Sequence, residues 1–385
     1  MKENNFDAIV IGAGSVGLPS AMSISSAGLK VLVIDSMPSV GQGQNKTAIG
    51  GIRATHSHGS KIKTCLKSIE IFKNWQEAHG DDIGWTEGGY TFPAYSERGV
   101  TLLKDSLKVQ HGFGLKIDWA DTATMKNIVP GINTKGLLGG TFSPQDGNAS
   151  PLLCSSAFFK KCSSLGVVFK FNESVKQIKI ESGKVKGVIT DKDTYWAPNI
   201  INAAGARSRE IGQLAGVDIP VTPDSHEAGI TEPVERFFKP MVVDMRPGRN
   251  SKNIYFYQNS RGHIIFCLTP DPIVAGTDTR STSALLPLIS ERLISIIPIL
   301  ASVKVRRVWR GLYPMTPDGF PIVSKVDEVE GLVLAVGMCG QGFMLGPGAG
   351  ELVQKIITNT LNNEDREVLE GFKLKRTFAG SEKFK

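Results

Sequence analysis

The sequence predicts an α/β protein, a Rossmann-like layer joined to a second, α+β lobe built on an antiparallel sheet. Three observations predict it. Residues 6–38 read FDAIVIGAGSVGLPSAMSISSAGLKVLVIDSMP: a short apolar strand, glycines at G-x-G-x-x-G spacing, a helical stretch ending at Gly28, a second apolar strand and an acid. Residues 175–205 hold short strands with turn signals at Ser182-Gly183 and Asp191 to Asp193, and they end in INAAG, which returns the chain to the first layer. From His226 to Trp309 aromatic-rich strands prevail (MVVDM, NIYFYQNSRGHIIFCL, VKVRRVW), interrupted by a helical segment at Leu285 to Ile297.

Each part of the first stretch has a physical reason. Gly12 lets the chain turn sharply after the strand Ala8 to Ile11, Gly14 lets backbone approach a pyrophosphate, and Gly17 lets the helix pack closely on the strand. The helix N-terminus then faces the phosphates. Asp35 lies 18 residues past Gly17, at the tip of the second strand, where its carboxylate can accept from both ribose hydroxyls and disfavours a 2′-phosphate. The motif indicates a dinucleotide and leaves NAD and FAD both open.

After Asp35 the glycine-rich segment Ser36 to Ser60 lacks periodicity, and loops of this length inside a compact domain are usually functional or disordered. Its GGIR sits where a dinucleotide laid out from the first helix would bring its reactive ring. From Lys61 to His79 the positions Ile62, Leu66, Ile69, Phe72 and Trp75 mark an amphipathic helix. GGYTFPAY reads as strand, Gly99 to Gln110 as helix and GLLGG as turns. A helix with Leu153, Ala157, Phe158 and Cys162 inward precedes a strand at Val167 to Phe171. The chain closes with the strand GLVLAVG at 331–337, the run MCGQGFMLGPGAG and a helix from Glu351 to about Leu361. The cofactor domain is therefore discontinuous, over 1–85, 141–225 and 311–385, with 86–140 and 226–310 as the substrate domain.

Length and composition limit the rest. A chain of 385 residues implies two lobes with a large interior, and 41% hydrophobic against 21% charged residues is a globular balance. The net charge is +7 and the pI near 9.0, but no run of five like charges suggests a nucleic-acid arm. The cysteines at 65, 154, 162, 267 and 339 include no C-x-x-C pair, so no zinc site or iron–sulfur cluster is expected. Such sparse usage fits a reducing compartment. MKENNFD is polar and runs straight into the first strand, leaving no room for a signal peptide, and the most apolar region, Leu285 to Leu300, is broken by Pro287, Glu291, Arg292 and Pro298. A cytoplasmic location with no integral membrane segment is expected.

With both ends read, the chain resembles the D-amino-acid oxidase superfamily of FAD enzymes, in the branch of glycine oxidase, sarcosine oxidase and the flavin subunits of heteromeric amino-acid dehydrogenases. The resemblance rests on VIGAGSVGLPSA, AIGGIR, DGNASP, INAAGARS, HEAGITEP, WRGLYPMTPDGFPIV and GMCGQGFMLGP, of which the last two are the specific ones. It implies a glutathione-reductase-type FAD-binding domain and non-covalent FAD held by Gly12, Gly14, Ser15, Val16, Gly17, Asp35, Ser36, Thr47, Ala48, Gly50, Gly51, Ile52, Val175, Ala204, Gly205, Gly311 and Gly337. In the family the last loop and its helix wrap the flavin, so Gly340, Gln341, Gly342, Phe343 and Met344 join this set. Some sarcosine oxidases attach FAD through a cysteine where this chain has Gly311, others attach FMN through a histidine where it has Pro151, and oxidases of that type carry a lysine where it has Met344. An apolar Met344 cannot stabilise superoxide, which favours a dehydrogenase.

The resulting reading is FAD-dependent dehydrogenation of a small amino acid or N-alkyl amino acid (sarcosine, proline, glycine or opine class), with hydride passing from the carbon next to nitrogen to flavin N5. The rivals are an oxygen-using oxidase, a non-catalytic electron-carrying subunit and an NAD enzyme. Arg53 is the expected carboxylate anchor, because a guanidinium binds carboxylate bidentately. Arg310 and the strand neighbours Tyr255 and Tyr257, which share one face, compete with it, as does the reading that Arg53 only ties its loop together. With Met344 in the position where related oxidases activate oxygen, and no metal ligands in the chain, the electrons need another exit, so the resemblance implies a companion subunit or second flavin as partner.

Overall fold

The computed structural model describes residues 4–384. Nine helices among these residues position the site: α1 (Gly17–Ser26), α2 (Gly59–His79), α3 (Glu97–Gly112), α4 (Thr122–Ile128), α5 (Pro151–Ser164), α6 (Ser208–Gln213), α7 (Leu285–Ile296), α8 (Gly342–Thr358) and α9 (Asn363–Glu370).

The first layer is a six-stranded sheet in the order Ile322–Lys325, Leu332–Val336, Asn199–Asn202, Ala8–Ile11, Val31–Ile34, Val168–Lys170. Only the Ile322–Lys325 edge is antiparallel. Its central strands are buried on both faces, which is why they read as unbroken apolar runs. One face packs on α1, α2, α5 and α8 through Val10, Val33, Ile62, Phe72, Cys162 and Leu345. The other meets the three-stranded meander at 175–196 through Ile9, Leu32, Ile178 and Tyr195.

The second layer is an eight-stranded sheet in the order Val305–Met315, Thr222–Pro233, His263–Pro270, Ser251–Gln258, Met241–Asp244, Tyr90–Ala94, Gly139–Ser143, Asp118–Ala120. Seven neighbouring pairs build it, six antiparallel and one parallel. Its outer face, with Ile254, Phe256, Ile264 and Phe266, packs on α4 and α7. Its inner face turns toward Ile49 and the cofactor layer.

Three expectations are corrected, and the expected domain limits are set beside the strands they cross. The last helix begins at Gly342, not Glu351, because the glycines of GPGAG are packing positions: a methyl on Gly346 would strike the Ser15 carbonyl, and one on Gly348 the Thr64 carbonyl. Leu153 lies on the outer side of α5 and is 46% exposed, while Cys154, Ala157, Phe158 and Cys162 face inward. The domain limits at 140/141, 225/226 and 310/311 each fall within a strand of the larger sheet. The segment 36–60 holds a short 3-10 turn at Asn45–Thr47 and a strand at Gly51–Ile52 paired with Gly147–Asn148. No helix of the described residues is long and apolar enough to cross a membrane.

Candidate active site

Gly12 has φ +111°, and a methyl there would run into the Ala203 carbonyl at the end of the neighbouring strand; a methyl on Gly17 would run into the Gly12 carbonyl. These two glycines are dictated by backbone packing inside the chain. Gly14 differs, because nothing lies within 4 Å of a methyl built on it, so its face is open. Helix α1 then starts with no side-chain cap and no acid in its first turn, leaving N–H groups directed at whatever lies before it. At the tip of the second strand Asp35 accepts from Ala13 N–H through Oδ2 at 2.7 Å and from Met37 N–H through Oδ1 at 2.8 Å. A carboxylate has about four lone-pair sites, so each oxygen retains one for a ribose hydroxyl. Asp35 thus braces the glycine turn as well, a role its sequence position did not reveal. Glu173 N–H bonds the Asp35 carbonyl at 3.1 Å, which brings the segment leading to Val175 alongside. Ser36 is exposed just beyond, and Ala204 and Gly205 follow the strand beside Gly12, so this half of the expected set lies along one end of the sheet.

The second half is assembled by loop contacts. Gly41 N–H bonds the Ala13 carbonyl at 2.9 Å, Leu312 N–H bonds Gln44 Oε1 at 2.6 Å, and Trp309 Nε1–H bonds the Thr47 carbonyl at 2.8 Å. A methyl on Gly311 would strike Thr47 Oγ1, so a larger side chain has no room there. The run 337–340 turns through left-handed backbone at Gly337, Cys339 and Gly340 (φ +66°, +52° and +78°). Cys339 is held in that unfavourable region by Thr316 N–H donating to its sulfur at 3.4 Å and by its thiol donating to the Gly337 carbonyl at 3.0 Å. Gly340 lies on the ring of Tyr313, and α8 starts two residues later, again with no side-chain cap and no acid in its first turn. The two uncapped helix starts meet at Ser15, whose hydroxyl is 3.5 Å from a methyl built on Gly342. Phe343 packs on Phe72, with ring centroids 5.4 Å apart. Met344 is buried in the core shared by α1, α2 and α8, away from the larger sheet.

The inner face of the larger sheet forms the opposite wall. Strand register aligns Tyr255 with Cys267, Cys267 with Ala228, Ala228 with Trp309, His226 with Gly311 and Asp224 with Tyr313, so all of these side chains share one face. Tyr255 and Tyr313 share a hydrogen bond between their hydroxyls. Cys267 Sγ is 3.8 Å from the Tyr313 hydroxyl, the His226 ring stacks on Tyr313 at 3.7 Å, and His226 Nε2 is 3.1 Å from Asp224 Oδ2. Tyr257 donates to the Ile49 carbonyl at 2.7 Å and fixes the loop carrying Ala48, Gly50 and Ile52. Burial, with Cys267 next in importance, pushes the Tyr255 and Tyr313 phenols well above their ordinary range, so both are neutral. Tyr255 and Tyr257 share this inner face, as their spacing by two predicts. Arg310 does not: it pairs with Glu227 on the outer face and donates to the Arg280 carbonyl at 3.3 Å. Sequence reasoning passed over Asp224, His226, Cys267 and Tyr313, although counting by two from Gly311 reaches Tyr313.

Arg53 is 6% exposed and held on several sides. It donates to the Thr55 carbonyl and toward His56 Nδ1 at 3.2 Å through Nη1, and to the Phe384 carbonyl at 2.6 Å through Nη2. Asp146, in the DGNASP segment, anchors the same loop by accepting from Ala54 N–H at 2.8 Å and Thr55 Oγ1–H at 2.6 Å. Burial raises the Asp146 carboxyl above its usual range despite these bonds. Burial and the Arg53 charge hold His56 well below the usual imidazole range, so it is neutral; Nδ1 accepts from Arg53 and Nε2 faces Cys65 Sγ at 3.3 Å. Lys61, fully buried on α2, donates to the Gly319 carbonyl at 2.8 Å and to Gln341 Oε1 at 2.7 Å, which ties α2 to the start of α8. No periodicity signal marks a buried lysine, and the amphipathic pattern of α2 concealed it.

Comparison with known proteins gives this arrangement its family. Residues 7–356 match the model of the DAO family, described as FAD-dependent oxidoreductase. The β subunit of sarcosine oxidase of Rhodobacter capsulatus is 23% identical over 366 residues, covering 92% of this chain and 85% of that one. The formaldehyde-forming 4-methylaminobutanoate oxidase of Paenarthrobacter nicotinovorans is 22% identical over 363 residues, and there the match covers 91% of this chain but only 44% of the relative's length. The crystal structure of L-proline dehydrogenase from P. horikoshii superposes with a TM-score of 0.90 at 28% identity, over 96% of this chain and 97% of that one. The open face of Gly14, the Asp35 carboxylate and the two uncapped helix starts meeting at Ser15 fit FAD as the dinucleotide. The chain belongs to the DAO family of FAD-dependent oxidoreductases.

Proposed function

We propose that this protein dehydrogenates a small amino acid or N-alkyl amino acid at its carbon–nitrogen bond, with non-covalent FAD. The observation that carries the reading is the state of Arg53. Among the described residues its guanidinium bonds to carbonyl oxygens and a neutral ring nitrogen, with the Asp146 and Glu382 carboxylates near it but not bonded to it, so a buried cation with no directly bonded anion lies at one end of a largely aromatic wall. A substrate carboxylate would be drawn to that charge, and its carbon chain would lie along Tyr255, Tyr257 and Tyr313. One O–H of the Tyr255–Tyr313 pair is committed between the two oxygens, and the lone pairs left over can accept from an amine N–H. The flavin supplies the two-electron acceptance when bound. The neutral phenols and thiol of the wall favour a neutral amine over an ammonium ion, the form in which a hydride can leave the adjacent carbon.

The sarcosine oxidase subunit and the L-proline dehydrogenase support the substrate class by the activities in their names, both at C–N bonds of small amino acids. Met344 points into the helical core and does not occupy the oxygen-facing position expected of it, so the preference for a dehydrogenase over an oxidase is supported by the likeness to the L-proline dehydrogenase. The electrons would then pass to a companion subunit or second flavin, and the relative named as a β subunit supports such an assembly. Five free buried cysteines fit a reducing, cytoplasmic compartment. The test is anaerobic addition of sarcosine, proline, glycine and an opine to the FAD-loaded protein. Bleaching of the flavin absorbance by at least one is expected; bleaching by none, with full bleaching by dithionite, would overturn the reading.

A further inference from the structure

The segment after α9 runs back across the molecule and brings residues 382–384 against Ser57, Lys61 and Arg53. Glu382 is 4% exposed and Phe384 5% exposed, although neither belongs to a helix or strand. Glu382 Oε1 accepts from Ser57 N–H at 3.1 Å and Ser57 Oγ–H at 2.8 Å, and its Oε2 lies 3.3 Å from Lys61 Nζ, both side chains fully buried. The Phe384 ring stands edge-on to Phe92 at 5.2 Å, and the Arg53 guanidinium lies 5.7 Å from that same Phe92 ring. The Phe384 carbonyl accepts from Arg53 Nη2 at 2.6 Å. Its side chain belongs to the cluster of Ile49, Phe92, Ala228, Tyr257 and Cys267 that covers the inner face of the larger sheet.

Two facts make this more than a packed tail. Arg53 and Lys61 place two cations in the interior, and an unbalanced buried charge costs several kcal/mol. Glu382 pairs directly with Lys61, whereas Arg53 has no carboxylate bonded to it among the described residues. Although burial opposes ionisation of Glu382, the neighbouring cations hold it well below the usual carboxylate range. The second fact is the contact network: the segment touches the loop of Arg53 through Ser57, α2 through Lys61 and, by way of Lys61, the Gln341 side chain at the start of α8. It therefore bonds the guanidinium that the function proposed above uses as its anchor.

We infer that Glu382–Phe384 completes the substrate pocket: Glu382 is a positioning residue for Arg53 and Lys61, and the Phe384 ring sets the largest substrate the pocket accepts. The inference rests on the inner wall being the substrate face. Its test uses the full-length, FAD-loaded protein with two carboxylate probes, propionate and 3-phenylpropionate, bound without turnover and read by perturbation of the flavin absorbance. For Phe384→Ala the affinity ratio should shift toward 3-phenylpropionate by about tenfold, the scale of a lost or gained apolar contact in a pocket. Glu382→Gln should weaken propionate with the size preference unchanged, and Glu382→Asp should restore part of the loss, which a merely structural role does not predict. Should Phe384→Ala fail to fold, Phe384→Leu is measured in its place and should shift the ratio in the same direction by a smaller factor. An unchanged ratio in the folded Phe384 variant, or equal losses in both Glu382 variants that track melting temperature alone, would overturn the inference. A wild-type protein that oxidises no amino acid yet shows the ratio shift would retire the proposed reaction and leave the pocket assignment standing.

Discussion

The two layers of the molecule both line the candidate site, and they do so with different parts of the chain. The six-stranded layer offers backbone: glycine turns, helix N–H groups and a single carboxylate at a strand tip. The eight-stranded layer offers side chains: Tyr255, Tyr313, Cys267 and His226, aligned only because the hairpin of Tyr255 and Cys267 holds one register with two strands distant from it in sequence. Backbone recognition needs particular glycines at fixed spacing. A side-chain wall needs only that every second residue face inward, and many residue types satisfy that.

The largest expected effect breaks the first layer. Gly346→Ala drives a methyl into the Ser15 carbonyl at the α1–α8 contact, and should cost about 3 kcal/mol, the upper end of overpacking, with stability and FAD content falling together in thermal denaturation and flavin assays. Gly14→Ala is the control that sharpens the contrast. Its methyl meets no protein atom, so the fold should persist while FAD retention falls; a Gly14→Ala protein with full flavin content would remove the open face from the cofactor site.

Asp35→Ala comes next. It removes two backbone hydrogen bonds to a carboxylate along with the ribose acceptor, and should weaken FAD binding by about 1.5–3 kcal/mol as measured by retention on dialysis.

Protonation of His56 gives a smaller, pH-dependent effect at the junction of the layers. Burial keeps the folded-state imidazole neutral, so below its ordinary value of about 6.5 the unfolded chain binds a proton that the folded chain refuses. Stability should therefore fall as pH drops below about 6.5, by at most about 1.4 kcal/mol per pH unit for one proton, and the fall should shrink in His56→Gln. His58, whose imidazole burial also holds low, adds in the same direction. A pH-independent melting temperature between neutral and mildly acidic conditions would contradict the neutral assignment. The smallest effect is Leu153→Ser on the exposed side of α5, expected within about 0.5 kcal/mol of wild type by denaturant unfolding.

The same contrast explains what could be read in advance. The glycine turn, Asp35 and the apolar parallel strands were legible because local sequence specifies them: Gly12 and Gly17 are forced by atoms a few residues or one strand away. The inner wall was half legible. Tyr255 and Tyr257 stood out as aromatic strand neighbours, but their partners Tyr313 and His226 come from strands paired over long separations, and nothing local marks that register. The same reason removed Arg310, which alternation from Gly311 and Tyr313 places on the outer face. The helical start at Gly342 was hidden because its glycines and Pro347 look like a turn until α1 and α2 are set against them. The charge cluster of Lys61, His56 and Glu382 joins residues more than three hundred positions apart and left no pattern in the sequence.

The central claim, that the inner face of the larger sheet handles substrate while the smaller layer holds FAD, is tested most directly by anaerobic flavin reduction in the Tyr255→Phe, Tyr313→Phe double variant at saturating amino acid. Wild-type FAD content and melting within about 1 kcal/mol are expected, with flavin reduction slowed by about tenfold or more, the loss of a hydrogen bond made to the reacting amine. Reduction at the wild-type rate, with FAD fully bound, would contradict the claim.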